Sequence, residues 1–255
     1  MEILSVISRL LDYPDDSITG EHAHLAELIA GATLPADQKA KLQVFLDQRF
    51  AMNLFDWQSE YDGLFERGRS LALWLFEHVH GESRDRGQAM VDLMKTYTDA
   101  GLYISEHELP DYIPLFLEFL STQGEANAKA WLQDVEHILA LLFCRLEKRQ
   151  SDYVVLFDAL LHIAGSLNSV QKRVDLDQIR KQIGNEQRDD TKQAIDKEWE
   201  EEEVTFGADS LEKSCDSKSR KPSENQRRDL DIPISWVDFE TPRTATQATD
   251  RAARM

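Results

Sequence analysis

Apolar residues recur at helical spacing from the beginning of the chain. One face of the first segment carries Ile3, Leu4, Ile7, Leu10 and Leu11. This spacing is typical of an amphipathic helix packed on a core. Tyr13-Pro14 follows directly, and a proline disfavours the α conformation of the residue before it. The pattern therefore predicts a first helix that ends before Pro14.

Similar helical patterns cover most of the chain up to residue 187. They lie near 21–31, 37–54, 56–66, 70–80, 84–101, 111–122, 125–148, 151–168 and 171–187. Asp56 is predicted to cap one helix, and Ser105 with Glu108 forms a Ser-x-x-Glu capping-box pattern. Segments that alternate with a period of two residues are lacking. We therefore predict an all-α fold, a single helical domain of about nine or ten helices.

The composition changes near residue 190. The segment DKEWEEEE at 196–203 carries six acids and one lysine, and polar residues dominate after Phe206. Such a sequence buries too little apolar surface to offset the entropy that is lost on ordering. We therefore predict one helical domain, 1–205, followed by an acidic and polar tail, 206–255, that is disordered.

The chain is strongly acidic, because 47 Asp and Glu against 29 Lys and Arg give a net charge of −18. This charge repels phosphate backbones and anionic headgroups, so we expect neither nucleic-acid binding nor direct membrane binding. Cys144 and Cys215 suggest neither a disulfide framework nor a zinc cluster. The N-terminus lacks the basic head of a signal peptide, and no apolar run is long enough to span a membrane. A cytoplasmic protein is expected.

The run LFEHVHGESRDRGQAM at 75–90 holds most of the candidate chemistry. His78 and His80 stand two residues apart, whereas two helical ligands of one metal ion usually stand four apart, and no third ligand lies at a suitable spacing. Ser83 lacks the Gly-x-Ser-x-Gly context of a nucleophile elbow, and no phosphate-binding loop is present. We therefore expect no metal and no catalytic residue, with both histidines hydrogen-bonded to backbone carbonyls.

Acids and arginines balance between Glu66 and Gln88. Four of each occur there: Glu66, Glu77, Glu82 and Asp85 against Arg67, Arg69, Arg84 and Arg86. Arginine forms planar, bidentate pairs with carboxylates. The pattern predicts a structural corner formed by His78, His80, Glu82, Arg84, Asp85 and Arg86. The residues alone leave such a corner and a partner-binding face equally open.

A second dense stretch is ELPDYIPLFLEFL at 108–120. Pro110 is tolerated in the first turn of a helix, whereas Pro114 must either share that turn or kink the helix. A kink leaves carbonyl groups unpaired beside an apolar surface. Such a place either accepts a peptide or is an internal corner satisfied by the arginines.

Three runs together resemble a known family. They are YDGLFERGR at 61–69, the run at 75–90, and LPDYIPLFLEF at 109–119. The resemblance is to the nitrate reductase delta subunit, the NarJ/NarW-type molybdenum-cofactor assembly chaperones, which belong to the all-helical redox-enzyme maturation proteins. It covers about residues 1–205.

The resemblance implies a chaperone that is not an enzyme. Such chaperones bind the N-terminal segment of the apo catalytic (alpha) subunit of a respiratory nitrate reductase, alone or in its alpha–beta complex. They promote insertion of bis(molybdopterin guanine dinucleotide) into the client without binding it stably, delay membrane attachment and are absent from the finished enzyme. Cofactor-delivery proteins are further partners that the resemblance allows. Carried onto this sequence, the client-binding residues are Tyr61, Leu64, Phe65, Arg67, Arg69, Leu109, Pro110, Asp111, Pro114, Leu115 and Glu118.

The sequence departs from the family at one position. Relatives usually have histidine after the Pro-Asp pair, and this chain has Tyr112, which removes an ionisable group there. Two other interpretations remain open. One is a helical adaptor for an unrelated partner, and the other is a metal- or nucleotide-dependent enzyme centred on His78, His80, Glu82 and Arg84.

Overall fold

A computed structural model of the chain describes residues 1–79, 85–105, 108–166 and 174–201, with only the backbone described for Asp85 and 198–201. The described residues contain eleven α-helices and no β-strand. The helices are α1 Glu2–Leu11, α2 His22–Gly31, α3 Ala36–Ala51, α4 Leu54–Tyr61, α5 Asp85–Asp99, α6 Ile113–Thr122, α7 Glu125–Asp134, α8 Glu136–Lys148, α9 Val154–Ala164, α10 Leu176–Gln182 and α11 Lys192–Glu201. The all-α prediction is confirmed.

Short single turns connect several of these helices. Three are 3-10 turns, Asp16–Gly20, Leu75–Glu77 and Ile183–Asn185, and a π-helical turn, Asp62–Glu66, extends the end of α4. Among the described helices, none has both the length and the apolar character that crossing a membrane requires. The tail predicted at 206–255 lies outside the described residues, so its disorder and the boundary at 205 stay predictions.

Helix α1 lies in the centre of the core. Its Leu4, Ile7 and Leu10 are completely buried, and the helix packs against α2 and α6. Ser8 Oγ donates a hydrogen bond to the Pro114 carbonyl oxygen at 2.7 Å, which fixes α1 to the start of α6. Burial of each such Leu or Ile side chain contributes about 1.5–3 kcal/mol. The apolar face predicted for the first segment is therefore the one that the core covers.

A buried arginine joins α3, α4 and the start of α9. The guanidinium of Arg49 is 1% exposed and lies 5.0 Å from the ring centroid of Phe45 and 4.5 Å from that of Tyr153. It donates to both carboxylate oxygens of Glu60, at 2.8 and 3.0 Å, and it also pairs with Asp152. Because the buried charge is paired and lies between aromatic faces, its desolvation is offset.

The predicted helix at 70–80 is wrong. Residues 71–79 form an irregular segment with extended backbone at Trp74 and one 3-10 turn, Leu75–Glu77. Leu71, Leu73 and Leu75 are buried, and Trp74 forms an isolated antiparallel bridge with Tyr112. The segment is apolar because Leu71, Leu73 and Leu75 are buried, and a short apolar run of this kind does not distinguish helix from irregular structure.

Several helix ends also differ from the predictions. Asn53 rather than Asp56 caps α4, since its side chain accepts from Phe55 N at 2.9 Å. The predicted helix 125–148 is interrupted at Val135, which separates α7 from α8. Glu108 does bond back to Ser105 N at 3.0 Å, but no helix starts there, because α6 begins at Ile113.

The two prolines of the second dense stretch have different positions. Pro114 lies in the first turn of α6 and Pro110 precedes that helix. A proline in the first turn costs no intrahelical hydrogen bond, because the N–H of that position has no partner within the helix. The kink considered for Pro114 is therefore absent, and α6 starts at this point without exposing extra carbonyl groups.

Candidate functional site

A cleft of about 440 Å³ brings together the three runs of sequence that carry the resemblance. Its walls come from the π-helical turn after α4, the irregular segment 72–77, the first turn of α5, the loop before α6 and helix α11. It is lined by Phe65, Glu66, Arg67, Gly68, Arg69, Ala72, Trp74, Glu77, Arg86, Leu109 and Ile195. Its surface is mixed, with apolar side chains beside acids and arginines.

Four of the predicted client-binding residues line this cleft: Phe65, Arg67, Arg69 and Leu109. Arg67 and Arg69 are exposed. Leu109 is 44% exposed, which is unusual for a large apolar side chain that is needed for core packing. These residues come from two segments about 40 positions apart, and the fold places them around one space.

The other predicted client-binding residues do not line the cleft. Tyr61, Pro110, Asp111 and Pro114 are buried, Leu64 and Leu115 are partly buried, and Glu118 is exposed on α6. Tyr61 and Asp111 have no exposed surface in this structure. These two side chains therefore support the walls of the cleft and can affect binding only indirectly.

The corner at Asp111 joins the irregular segment to the start of α6. Leu75 N donates to the Asp111 carbonyl oxygen at 2.9 Å, and Ile113 N donates to the Leu73 carbonyl oxygen at 2.8 Å. The Asp111 carboxylate accepts from Phe76 N at 3.2 Å through Oδ2. Burial raises the pKa of Asp111, although this hydrogen bond and the charge of Arg86 act in the opposite direction. The carboxylate is thus a structural clamp for the cleft wall.

Arg86 connects the cleft to that clamp. Its Nη1 donates to Glu77 Oε2 at 2.7 Å, and its Nη2 lies 3.9 Å from Asp111 Oδ2. Pairs of this kind are what the sequence predicts for the corner, and partial burial reduces screening by solvent. Of the remaining corner residues, His80, Glu82 and Arg84 lie outside the described residues, as does the side chain of Asp85.

His78 is bonded to the backbone. Its Nε2 donates to the Ala72 carbonyl oxygen at 2.8 Å, and burial lowers the pKa of the imidazole. A neutral ring with one nitrogen used in this way anchors the segment that forms the cleft wall. Within the described ranges no group of three or more His, Cys, Asp or Glu side chains is arranged to hold a metal ion.

Tyr112, which directly follows Asp111, is part of a hydroxyl network at the start of α6. Its hydroxyl donates to Asp12 Oδ1 at 3.0 Å and lies 3.1 Å from the hydroxyl of Tyr61. Tyr61 in turn donates to the Leu11 carbonyl oxygen at 3.0 Å. Burial raises the pKa of Tyr112, so this position stays neutral at physiological pH and ties α6 to the end of α1.

Several lining residues were not predicted from the sequence. Trp74 and Glu77 belong to the segment that was predicted as a helix, so their direction could not be read correctly. Gly68, between two arginines, was a signal for a close approach of another chain segment. Ile195 comes from a helix more than 80 positions away from the other lining residues, and nothing in the local sequence indicates that contact.

Comparisons with known proteins agree with the resemblance. The family described as nitrate reductase delta subunit matches residues 14–159. The chain is 46% identical over 207 residues to the nitrate reductase molybdenum cofactor assembly chaperone NarJ of Escherichia coli K12, which covers 81% of this chain and 85% of that protein. It is 43% identical over 241 residues to the probable nitrate reductase molybdenum cofactor assembly chaperone NarW of the same strain, covering 94% and 97%.

A less similar relative is also named as an assembly chaperone. The chain is 30% identical over 157 residues to the probable nitrate reductase molybdenum cofactor assembly chaperone NarJ of Bacillus subtilis 168, which covers 62% of this chain and 85% of that protein. All three names describe assembly chaperones, which confirms the prediction of a protein that is not an enzyme. The chain belongs to the nitrate reductase delta subunit family.

Proposed function

We propose that this chain is a cytoplasmic chaperone for the assembly of a nitrate reductase and that it acts on the apo form of the catalytic subunit. The observation that carries the proposal is identity of 43–46% over most of both chains to relatives named as nitrate reductase molybdenum cofactor assembly chaperones. In this proposal the chaperone assists insertion of bis(molybdopterin guanine dinucleotide) into its client, and the cofactor remains with the client.

The N-terminal segment of the catalytic subunit is the proposed occupant of the cleft. Apolar side chains of Phe65, Trp74 and Leu109 lie beside the charged groups of Arg67 and Arg69. A surface of this composition suits an amphipathic helix, whose apolar positions fill the cleft and whose polar positions meet the rim. A volume of about 440 Å³ admits a few side chains of such a segment.

The charge of the chaperone supports a basic client segment. A net charge of −18 attracts a basic peptide over several ångströms and accelerates its association. The contacts inside the cleft then select the client, because Glu66 and Glu77 accept hydrogen bonds from basic groups while the apolar side chains bury its hydrophobic positions. Affinity therefore comes mainly from apolar burial, and orientation comes from the charged groups.

In this proposal, capture of the N-terminal segment has two effects: it delays membrane attachment and it keeps the subunit ready for cofactor insertion. While the chaperone holds the N-terminal segment, the catalytic subunit, alone or in the alpha–beta complex, cannot dock on its membrane anchor. The same complex keeps the apo-subunit accessible to the cofactor and to the proteins that deliver it. Release of the segment ends the association, so the chaperone is not part of the finished enzyme.

Metal analysis of the client tests the assembly function. In a strain that encodes a respiratory nitrate reductase but lacks every chaperone of this family, we expect a catalytic subunit without molybdenum and without nitrate reductase activity. Expression of the wild-type chain or of Phe55→Asp, a variant of an exposed residue outside the cleft, restores both. Leu109→Asp does not, because it places a charge in the cleft. Normal molybdenum content in the strain without a chaperone contradicts the proposal.

A further inference from the structure

The segment between α10 and α11 is tied to the end of α8 by polar contacts. Lys148 Nζ donates to the carbonyl oxygens of Ile183 and Glu186, at 2.6 and 2.8 Å. Arg145 forms a bidentate pair with the Glu186 carboxylate, at 3.0 and 2.8 Å. These contacts hold the chain against the end of α8 in the segment that leads to the cleft.

The next contact is at the rim of the cleft. The carboxylate of Asp189 accepts hydrogen bonds from Ser70 N at 2.6 Å, Ser70 Oγ at 2.7 Å and Arg149 Nη2 at 3.0 Å. A Cβ atom at Gly68 would lie 2.7 Å from this carboxylate, so the close approach depends on glycine. Burial opposes ionisation, but the bonds from Ser70 lower the pKa of Asp189 below its ordinary value. The rim is thus a formed receptor for this carboxylate.

The contacts continue into helix α11. Arg149 Nη1 lies 2.7 Å from Asp190 Oδ2 as an ion pair outside hydrogen-bond geometry. Thr191 Oγ1 accepts from Ala194 N at 3.2 Å, which caps the first turn of α11. With its start fixed in this way, α11 places Ile195 in the wall of the cleft. Residues 186–201 are called the strap, and Ile195 of the strap lines the same cleft as the arginines and Leu109.

Polar contacts hold the strap, and little of its apolar surface is buried. Within 192–197 of α11, Ala194 and Ile195 are half-buried and the other four side chains are exposed. The carboxylates of Glu186 and Asp189 are partly exposed, whereas the pair of Arg149 with Asp190 is largely buried. A segment with so few buried apolar contacts opens at low cost in free energy.

The charges of the strap fit the cleft that it covers. Residues 186–201 carry seven acids and three bases, and the cleft contributes Arg67 and Arg69 at the rim with Arg86 inside. Ile195 adds one apolar side chain to the same space. The contact that the strap shares with a client helix is therefore the apolar one, made by Ile195.

We propose that the strap is an internal competitor, which must leave the cleft before the client segment binds fully. This inference rests on the proposed function of the cleft. A binding site that is open in only a fraction of the molecules has an apparent affinity reduced by that fraction, so releasing the strap from a chain that is about 70–90% closed raises the client affinity roughly three- to tenfold.

Calorimetric titration with a synthetic peptide of the client N-terminus tests the strap on the full chain. The variants are Asp189→Ala, which removes the carboxylate from the rim, and Ile195→Ser, which removes the apolar side chain from the cleft. Gln193→Ala, on the exposed side of the same helix, is the matched control. We expect both variants to bind the peptide about three- to tenfold more tightly than wild type and the control to be unchanged. Equal or weaker binding by both variants overturns the proposal and identifies α11 as a fixed wall of the site.

Hydrogen exchange distinguishes failure of the strap from failure of the proposed function. Peptide binding should slow exchange of the amides at 65–77 and accelerate exchange at 189–197. If the peptide binds and protects 65–77 but exchange at 189–197 does not increase, the strap is refuted and the proposed function stands. If the peptide binds neither wild type nor any variant, the proposed function of the cleft fails, and the strap fails with it.

Discussion

The carboxylate of Asp111 accepts a hydrogen bond from the backbone N–H of Phe76 at 3.2 Å. These residues are 35 positions apart, and their contact clamps the irregular segment of the cleft wall to the start of α6. Asp111 is completely buried, so the clamp lies behind the surface that a client would touch. Residues of the second dense stretch can thus affect binding without forming the binding surface.

Removal of the Asp111 carboxylate should weaken both the fold and the binding of a client. Asp111→Ala removes the partner of Phe76 N at a partly buried position, which costs about 1–3 kcal/mol of unfolding free energy. Urea denaturation measures this loss, and calorimetric titration measures the accompanying fall in peptide affinity. Asp99→Ala, at an exposed position of α5, is the control and should change neither quantity. Unchanged stability and affinity in Asp111→Ala would remove this residue from both roles.

Because His78 is buried, we expect the unfolding free energy to fall in mild acid. Burial holds the pKa of His78 below its ordinary value, so the unfolded chain binds a proton at a pH where the folded chain does not. The contribution of this group is therefore complete above the ordinary histidine pKa of about 6.5 and is lost as the pH falls below that value toward the lowered pKa of the folded chain. Urea denaturation at several pH values should show a smaller loss over this range in His78→Gln than in wild type. The exposed residue His24 provides the control, His24→Gln, and the same pH dependence in all three proteins would contradict the prediction.

The hydroxyl of Tyr112 should contribute to stability although it does not titrate near neutral pH. Tyr112→Phe removes the hydrogen bond to Asp12 and should lower the unfolding free energy by about 0.5–1.5 kcal/mol. Tyr103→Phe removes a hydroxyl from a side chain that is 81% exposed and should have no effect. Thermal melts of the two variants provide the comparison. Equal melting temperatures for both would show that the network between α1 and α6 does not stabilise the fold.

Substitution of Gly68 should open the strap without unfolding the rest of the chain. In Gly68→Ala the new Cβ would lie 2.7 Å from the Asp189 carboxylate, so Asp189 must move away from Ser70. We expect faster hydrogen exchange at 189–197 with a loss of no more than about 1 kcal/mol in unfolding free energy. Gly63→Ala is the matched control, because a Cβ at Gly63 meets nothing within 4 Å. Wild-type exchange rates in Gly68→Ala would mean that Asp189 adapts without opening the strap.

Local sequence patterns predicted most of the helices but not the contacts between distant segments. The apolar face of α1 and the first turn of α6 at Pro114 follow from helical periodicity and from the missing N–H of proline. The break at Val135 has no glycine or proline to mark it. The helix predicted at 70–80 is wrong because burial, and not helical periodicity, makes that segment apolar.

The candidate site depends on pairings that only the folded chain contains. Residues near 65–69 and Leu109 could be assigned to one face through the family resemblance. The bond between Asp189 and Ser70 spans 119 positions, and the contact of Ile195 with the cleft spans more than 80. No periodic pattern contains such distances, so the strap could not be predicted from the sequence.

The central claim is that the cleft binds the N-terminal segment of the client. Calorimetric titration of the chain with a peptide of about the first 15–30 residues of the nitrate reductase catalytic subunit tests it most directly, because a helical groove can bury a segment of that length. Wild type and Phe55→Asp should bind one peptide per chain, with a negative heat-capacity change from apolar burial. Leu109→Asp should bind at least about tenfold more weakly, because it places a charge among the apolar groups of the cleft. Absence of binding by wild type, or equal binding by Leu109→Asp, would contradict the assignment of the cleft as the client-binding site.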